Sequence, residues 1–111
     1  MGYYTTFKLK ATGFKDIDEA EFFEFKLRKL TGYTGWETNS FETEMEGSLS
    51  DAKWYDYEAH MTELSKQFPH VYFDLDGVGE EHGDVWKMRA KDGQTERVNA
   101  KIVFPEFTIL T

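Results

Sequence analysis

The sequence has no cysteine, only two prolines, and a deficit of cations, with 13 Lys and Arg against 21 Asp and Glu in 111 residues. Without cysteine there is no disulfide scaffold, no zinc ribbon and no thiol nucleophile. Pro69 and Pro105 both stand where an element would end, and no linker, repeat or low-complexity run divides the chain. A single domain over 1–111 is expected. No apolar run is long enough to span a bilayer, and Met1-Gly2-Tyr3-Tyr4 has neither the charged nor the apolar region of a signal peptide. Residence in the cytoplasm is the expectation. The formal charge of −8 disfavours direct contact with nucleic acid or an anionic membrane, because both are held by cationic side chains. What the chain has in excess is aromatic: Phe, Tyr and Trp make up 17% of it, enough with the aliphatics to build a core and exclude global disorder.

Near the N-terminus Tyr3, Thr5, Phe7, Leu9 and Ala11 alternate with Tyr4, Thr6, Lys8 and Lys10, the period of a strand. From Asp16 to Leu30 two readings compete. Phe23, Phe25 and Leu27 alternate like a strand, whereas Ile17, Ala20, Phe23, Leu27 and Leu30 repeat at helical spacing. Asp16 with Glu19 has the form of a capping box, acidic residues precede Lys26, Arg28 and Lys29, and Gly32 suits the left-handed residue past a helix end. Helix over 17–30 is favoured. Phe41, Thr43 and Met45 then alternate with Glu42, Glu44 and Glu46, predicting a strand with one acidic face. Ser50-Asp51 read as the opening of a second helix whose stripe is Trp54, Tyr57, Met61, Leu64 and Phe68, stopped by Pro69. Strands follow at 71–76, 85–90 and 97–104, with Gly77 to Gly83 as a connector and Lys91-Asp92-Gly93-Gln94 as a tight turn. The order β-α-β-α-β-β-β predicts an α+β fold, a ferredoxin-like two-layer sandwich in which a mainly antiparallel sheet carries two helices on one face.

The segment Asp74 to Asp84 gathers Asp74, Asp76, Glu80, Glu81, Asp84 and His82 around three glycines. A calcium loop would need an oxygen ligand where Val78 stands and a terminal carboxylate that is missing. The glycine spacing does not fit G-x-G-x-x-G, and the carboxylates would repel a phosphate. His60, His70 and His82 form no helical pair that could anchor zinc, and no nucleophile or oxyanion-hole signature accompanies His82. No catalytic residue, cofactor or metal is therefore assigned. Two features instead point to binding. Alternate strand residues project to one side at roughly 6.6–6.8 Å, close to the repeat of phosphates along a nucleic-acid strand, so Glu42, Glu44 and Glu46 can present that charge pattern to a basic groove. Read without a partner, the same glutamates are the solvated face of a strand. Phe22, Phe25, Tyr55 and the tail residues fall off the core stripes, as surfaces that meet a partner or a second copy do.

The stretch Lys53-Trp54-Tyr55-Asp56, then Met61, Leu64-Ser65 and Phe68-Pro69, then Val71-x-Phe73-x-Leu75-x-Gly77-x-Gly79-Glu80-Glu81-x-Gly83-Asp84-x-Trp86-Lys87 and Lys91-Asp92-Gly93, resembles a group of small acidic proteins carried by phages and other mobile elements. Tyr3-Tyr4-Thr5 and Ala100-x-Ile102-x-Phe104-Pro105 look like that group too, while 12–49 matches in outline only. The resemblance implies a ferredoxin-like domain and a phage or mobile-element setting, with no assigned activity and no functional residues to carry over. Small acidic proteins in that setting include inhibitors of host machinery, among them anti-CRISPR proteins and nucleic-acid mimics.

The expectation is a non-enzymatic acidic protein that inhibits a nucleic-acid-handling protein of a bacterial host by covering its basic surface, a CRISPR effector being one such partner. Glu42, Glu44, Glu46, Asp74, Asp76, Glu80, Glu81 and Asp84 would carry the contact. Two alternatives stand beside it. One is a self-associating structural or accessory domain, a homodimer joined through Phe104, Phe107, Ile109 and Leu110; the other is a divalent-metal-dependent enzyme using the 74–84 loop.

Overall fold

The alternating residues Thr5–Thr12 form β1, with Phe7, Leu9 and Ala11 turned inward and Lys8 and Lys10 outward. The computed structural model describes residues 2–101, and β1 runs through the middle of its sheet. Helix α1 (Ile17–Thr31) follows. It begins where expected: the Glu19 N–H donates to Asp16 Oδ1 at 2.9 Å, and the Lys15 N–H donates back to Glu19 Oε1 at 3.0 Å. It ends at Gly32, whose φ of 76° is the left-handed conformation that glycine adopts without a Cβ penalty. Ala20, Phe23 and Leu27 face the sheet, so helical periodicity prevails over the alternation of Phe23, Phe25 and Leu27.

The chain then departs from expectation. In place of one strand around 41–46 there are two, β2 (Glu37–Phe41) and β3 (Glu44–Ala52), joined by a hairpin with Glu42 at φ 52°. The reason is chemical: the side chains β2 turns toward α1 are Thr38 and Ser40, so no hydrophobic period marks it. Both hydroxyls donate to the Glu24 carboxylate of α1, and Arg28 reaches Thr38 Oγ1 at 2.8 Å and the Trp36 carbonyl at 2.9 Å. Ser50-Asp51 does not open a helix either. It lies in β3, and α2 (Tyr57–Gln67) starts after Asp56. Trp54 is buried in the connection ahead of α2, and Met61 and Leu64 are the stripe residues buried within it.

Three antiparallel strands close the described chain: β4 (Tyr72–Gly79), β5 (Val85–Lys91) and β6 (Gln94–Asn99). Gly77 and Gly79 belong to β4, not to a connector. The Trp86 ring lies over Gly77 where a Cβ would stand, which is why glycine sits in this strand. Asp92 at φ 48° and Gly93 at φ 80° make the expected tight turn between β5 and β6. The strand expected over 97–104 begins earlier, at Gln94; its part beyond 101 lies outside the described residues. Val98 is exposed on the open face of this edge strand.

The sheet order is β2-β3-β1-β4-β5-β6, and every neighbouring pair is antiparallel. Accordingly β1 and β2 run parallel with β3 between them, and β3 and β4 run parallel with β1 between them. That is the ferredoxin-like two-layer sandwich, extended past β4 by a hairpin. Under the helices the aromatics form two nests. Phe14, Phe23, Phe68 and Phe73 pack under α1, and Phe7, Trp36, Trp54, Tyr57 and Trp86 under α2. Burying one such ring contributes roughly 1.5–3 kcal/mol. Among the described residues no helix is long and apolar enough to cross a membrane.

Candidate functional site

With both helices on one face, the other face of the sheet is open. It forms a trough of about 950 Å³ that reaches from Glu37 and Asn39 on β2 to Glu96 and Val98 on β6, the two edges of the sheet. Strand register sets its chemistry. One row across all six strands reads Asn39, Glu46, Lys10, Asp74, Arg89, Glu96; the next reads Glu37, Ser48, Lys8, Asp76, Lys87, Val98. Charges of opposite sign thus stand opposite one another, the arrangement that stabilises cross-strand pairs. Arg89 Nε donates to Asp74 Oδ1 at 2.9 Å, and Lys87 Nζ stands 3.6 Å from Asp76 Oδ2. The bond to Asp74 pushes the Arg89 guanidinium pKa still higher. Five carboxylates and four cations line this trough, so it is nearly neutral in a protein of charge −8.

Three further carboxylates, Glu80, Glu81 and Asp84, stand at the end of the sheet where β1 begins. There the N-terminal residues fold across the β4–β5 loop. The Tyr3 hydroxyl donates to Asp84 Oδ2 at 2.5 Å and accepts the Glu81 N–H at 3.0 Å. The Tyr3 N–H donates to the Tyr55 hydroxyl at 2.8 Å, and the Tyr4 N–H to Glu80 Oε1 at 2.9 Å. Lys53 Nζ sits 4.9 Å from the centre of the Tyr4 ring. The hydrogen bond to Asp84 raises the Tyr3 pKa, against the opposing bond from the Glu81 amide. Two exposed tyrosine rings, Tyr4 and Tyr55, therefore stand beside Glu80, Glu81 and Asp84.

The residues expected to form one acidic surface are divided by this geometry. Asp74 and Asp76 lie inside the trough against cations. Glu44 and Glu46 do share the open face, but Glu42 stands in the hairpin turn with a left-handed backbone and leaves their row. Glu44 pairs with Thr12 at one end of β1, while Glu80, Glu81 and Asp84 lie past Thr5 at the other. Seven residue steps of strand, roughly 24 Å, separate those ends. Phe104, Phe107, Ile109 and Leu110 lie outside the described residues.

Among the described residues no three His, Asp or Glu side chains converge as metal ligands. The loop carboxylates have other partners, Asp84 on Tyr3 and Glu80 on the Tyr4 amide. His60 Nδ1 accepts the Trp54 indole N–H at 2.8 Å, His70 Nε2 lies 2.6 Å from Glu19 Oε1, and His82 is exposed.

No protein-family model, curated protein or solved structure matches the chain. The ferredoxin-like architecture accordingly rests on strand order and connectivity. Sequence reasoning missed Lys8, Lys10, Tyr3 and Tyr4 as members of a site. The alternation of Lys8 and Lys10 on one strand face was a visible signal; that an acidic strand would flank each side of them follows only from the sheet order. Tyr3 and Tyr4 meet the 80–84 loop across 76 to 81 residues of chain, a separation no local pattern spans.

Proposed function

We propose that this chain is a non-enzymatic binding protein that offers the acidic, tyrosine-rich end of its sheet to a basic surface on a partner protein. The observation that supports this reading is the gathering of Tyr4, Tyr55, Glu80 and Glu81 on one exposed end, held there by the Tyr3–Asp84 bond. Tyrosine supplies large contact area at small entropic cost and is enriched among residues that dominate binding energy. Carboxylates around it steer a cationic partner and oppose an anionic one. The nearly neutral trough does not serve this purpose.

Partners whose grooves are lined by Lys and Arg are those that handle nucleic acid, and occupying such a groove inhibits them. The phage or mobile-element setting that the resemblance implies favours a host effector complex, a CRISPR effector among them, as the target. The test is binding of the purified chain to such a complex, with duplex DNA as competitor and salt as a variable. The expectation is binding that DNA displaces, that weakens as salt rises, and that falls at least tenfold in E80K/E81K and in Y55A. Undiminished binding by these variants at physiological salt would overturn the acidic-end reading.

A further inference from the structure

The outermost stripe of α1 is made of Asp18, Phe22, Phe25 and Lys29, spaced four, three and four residues apart on the side opposite the buried Ala20, Phe23 and Leu27. Phe22 and Phe25 are 51% and 59% exposed, a large apolar surface for a helix face turned to water. Lys29 Nζ lies 5.9 Å from the Phe25 ring centre, so its charge borders the ring. The stripe is apolar at its middle, acidic at its first end and basic at its last.

We infer that α1 docks antiparallel on α1 of a second copy of this chain. An interface across a two-fold axis must be self-complementary, residue i meeting j while j meets i. This stripe meets that condition. With the axis between Phe22 and Phe25, each Phe22 packs on the partner's Phe25, and each Asp18 faces the partner's Lys29. The four-three-four spacing is that of the seam residues that alternate in antiparallel helix pairs. Parallel docking would set Asp18 on Asp18 and Lys29 on Lys29, and a partner of a single charge sign would be repelled by one end of the stripe. A second copy is the occupant that satisfies the apolar middle and both charged ends together. The contact does not use the Tyr4, Tyr55 and Glu80 end of the sheet, so it stands independently of the function proposed above.

One helix pair buries less than the roughly 1,200 Å² of a standard stable interface, so the dimer is weak and is measured by sedimentation at about 10 µM to 1 mM protein in 0.15 M salt. The wild-type chain is expected to dimerise with concentration, and F25D to remain monomeric throughout. D18K alone faces Lys with Lys twice, and K29D alone faces Asp with Asp twice, so each should dimerise at least tenfold more weakly. Mixed in equal amounts, the two variants restore both pairs and should form a heterodimer of wild-type strength, as should D18K/K29D with itself. Both substituted positions are exposed, and circular dichroism verifies their folding. A wild-type chain monomeric at 1 mM, a dimer that F25D leaves intact, or a mixture of folded D18K and K29D that does not associate would each overturn the inference. A dimer lost on deleting 106–111 but retained in F25D would likewise overturn it.

Discussion

The buried hydroxyl of Ser65 on α2 accepts the Gly93 N–H at 2.8 Å and donates to the Thr62 carbonyl at 2.9 Å. It is the one fully buried polar side chain among the described residues, and it fastens α2 to the turn between β5 and β6. Ser65→Ala leaves the Gly93 amide without its acceptor. Gly93 is half-buried and water can reach its amide, so the expected cost is about 0.5–1.5 kcal/mol, the net worth of one hydrogen bond. Denaturant unfolding checks the magnitude, and faster hydrogen exchange at Gly93 checks the cause.

Glu19 is held below the usual carboxylate pKa. Partial burial opposes this, but the bond from His70 and the Lys15 N–H outweigh it. A depressed folded pKa contributes stability that is present above the unfolded value and is lost as pH falls through the folded one. Stability should therefore fall with pH in acid, and His70→Ala should flatten that slope. A melting-temperature series from neutral to acid pH in both proteins reads it.

Tyr3 has the opposite sign. Its folded pKa is raised, so the bond to Asp84 holds the N-terminal residues in place below the ordinary phenol pKa and is lost as pH rises through the raised one. One phenol should titrate late in ultraviolet absorbance, and Asp84→Asn should return it toward the ordinary value. Tyr3→Phe should speed exchange of the Glu81 amide at neutral pH, since the hydroxyl that accepts it is gone.

Lys10 stands between Glu46 and Asp74 in the row across the sheet. Lys10→Glu would set three carboxylates side by side. Cross-strand charge pairs are worth roughly 0.2–1 kcal/mol each, and reversal turns two attractions into two repulsions. The expected loss is about 1–2 kcal/mol in low salt, shrinking in 0.5 M salt as screening increases. Lys10→Met should cost less and respond less to salt.

What was legible in the sequence follows from where each signal lies. α1 carried redundant local marks, a cap, a dipole pattern and a terminal glycine, and all three hold in the structure. β1, β5 and the Asp92-Gly93 turn were legible for the same reason. β2 was not, because its inward side chains Thr38 and Ser40 satisfy Glu24 instead of filling a hydrophobic core. Ser50-Asp51 imitated a helix start while belonging to β3, whose left-handed Asp51 and register shift opposite Thr5 break the strand period. The acidic surface read from Glu42 to Asp84 failed to stay whole because sequence alternation reports which face a residue takes, not which strand lies next to it. Only the placement of β1 between β3 and β4 reveals that Asp74 and Asp76 face lysines.

The polar attachment of β2 has a consequence for how the domain breathes. Trp36 anchors its start in the core, but from Thr38 onward the strand is held by one ladder and by hydroxyls around Glu24, contacts that water can replace. Local opening of β2 therefore uncovers the edge of β3 while the aromatic nests remain closed. This makes β2, at one rim of the trough, a local unfolding unit distinct from global denaturation.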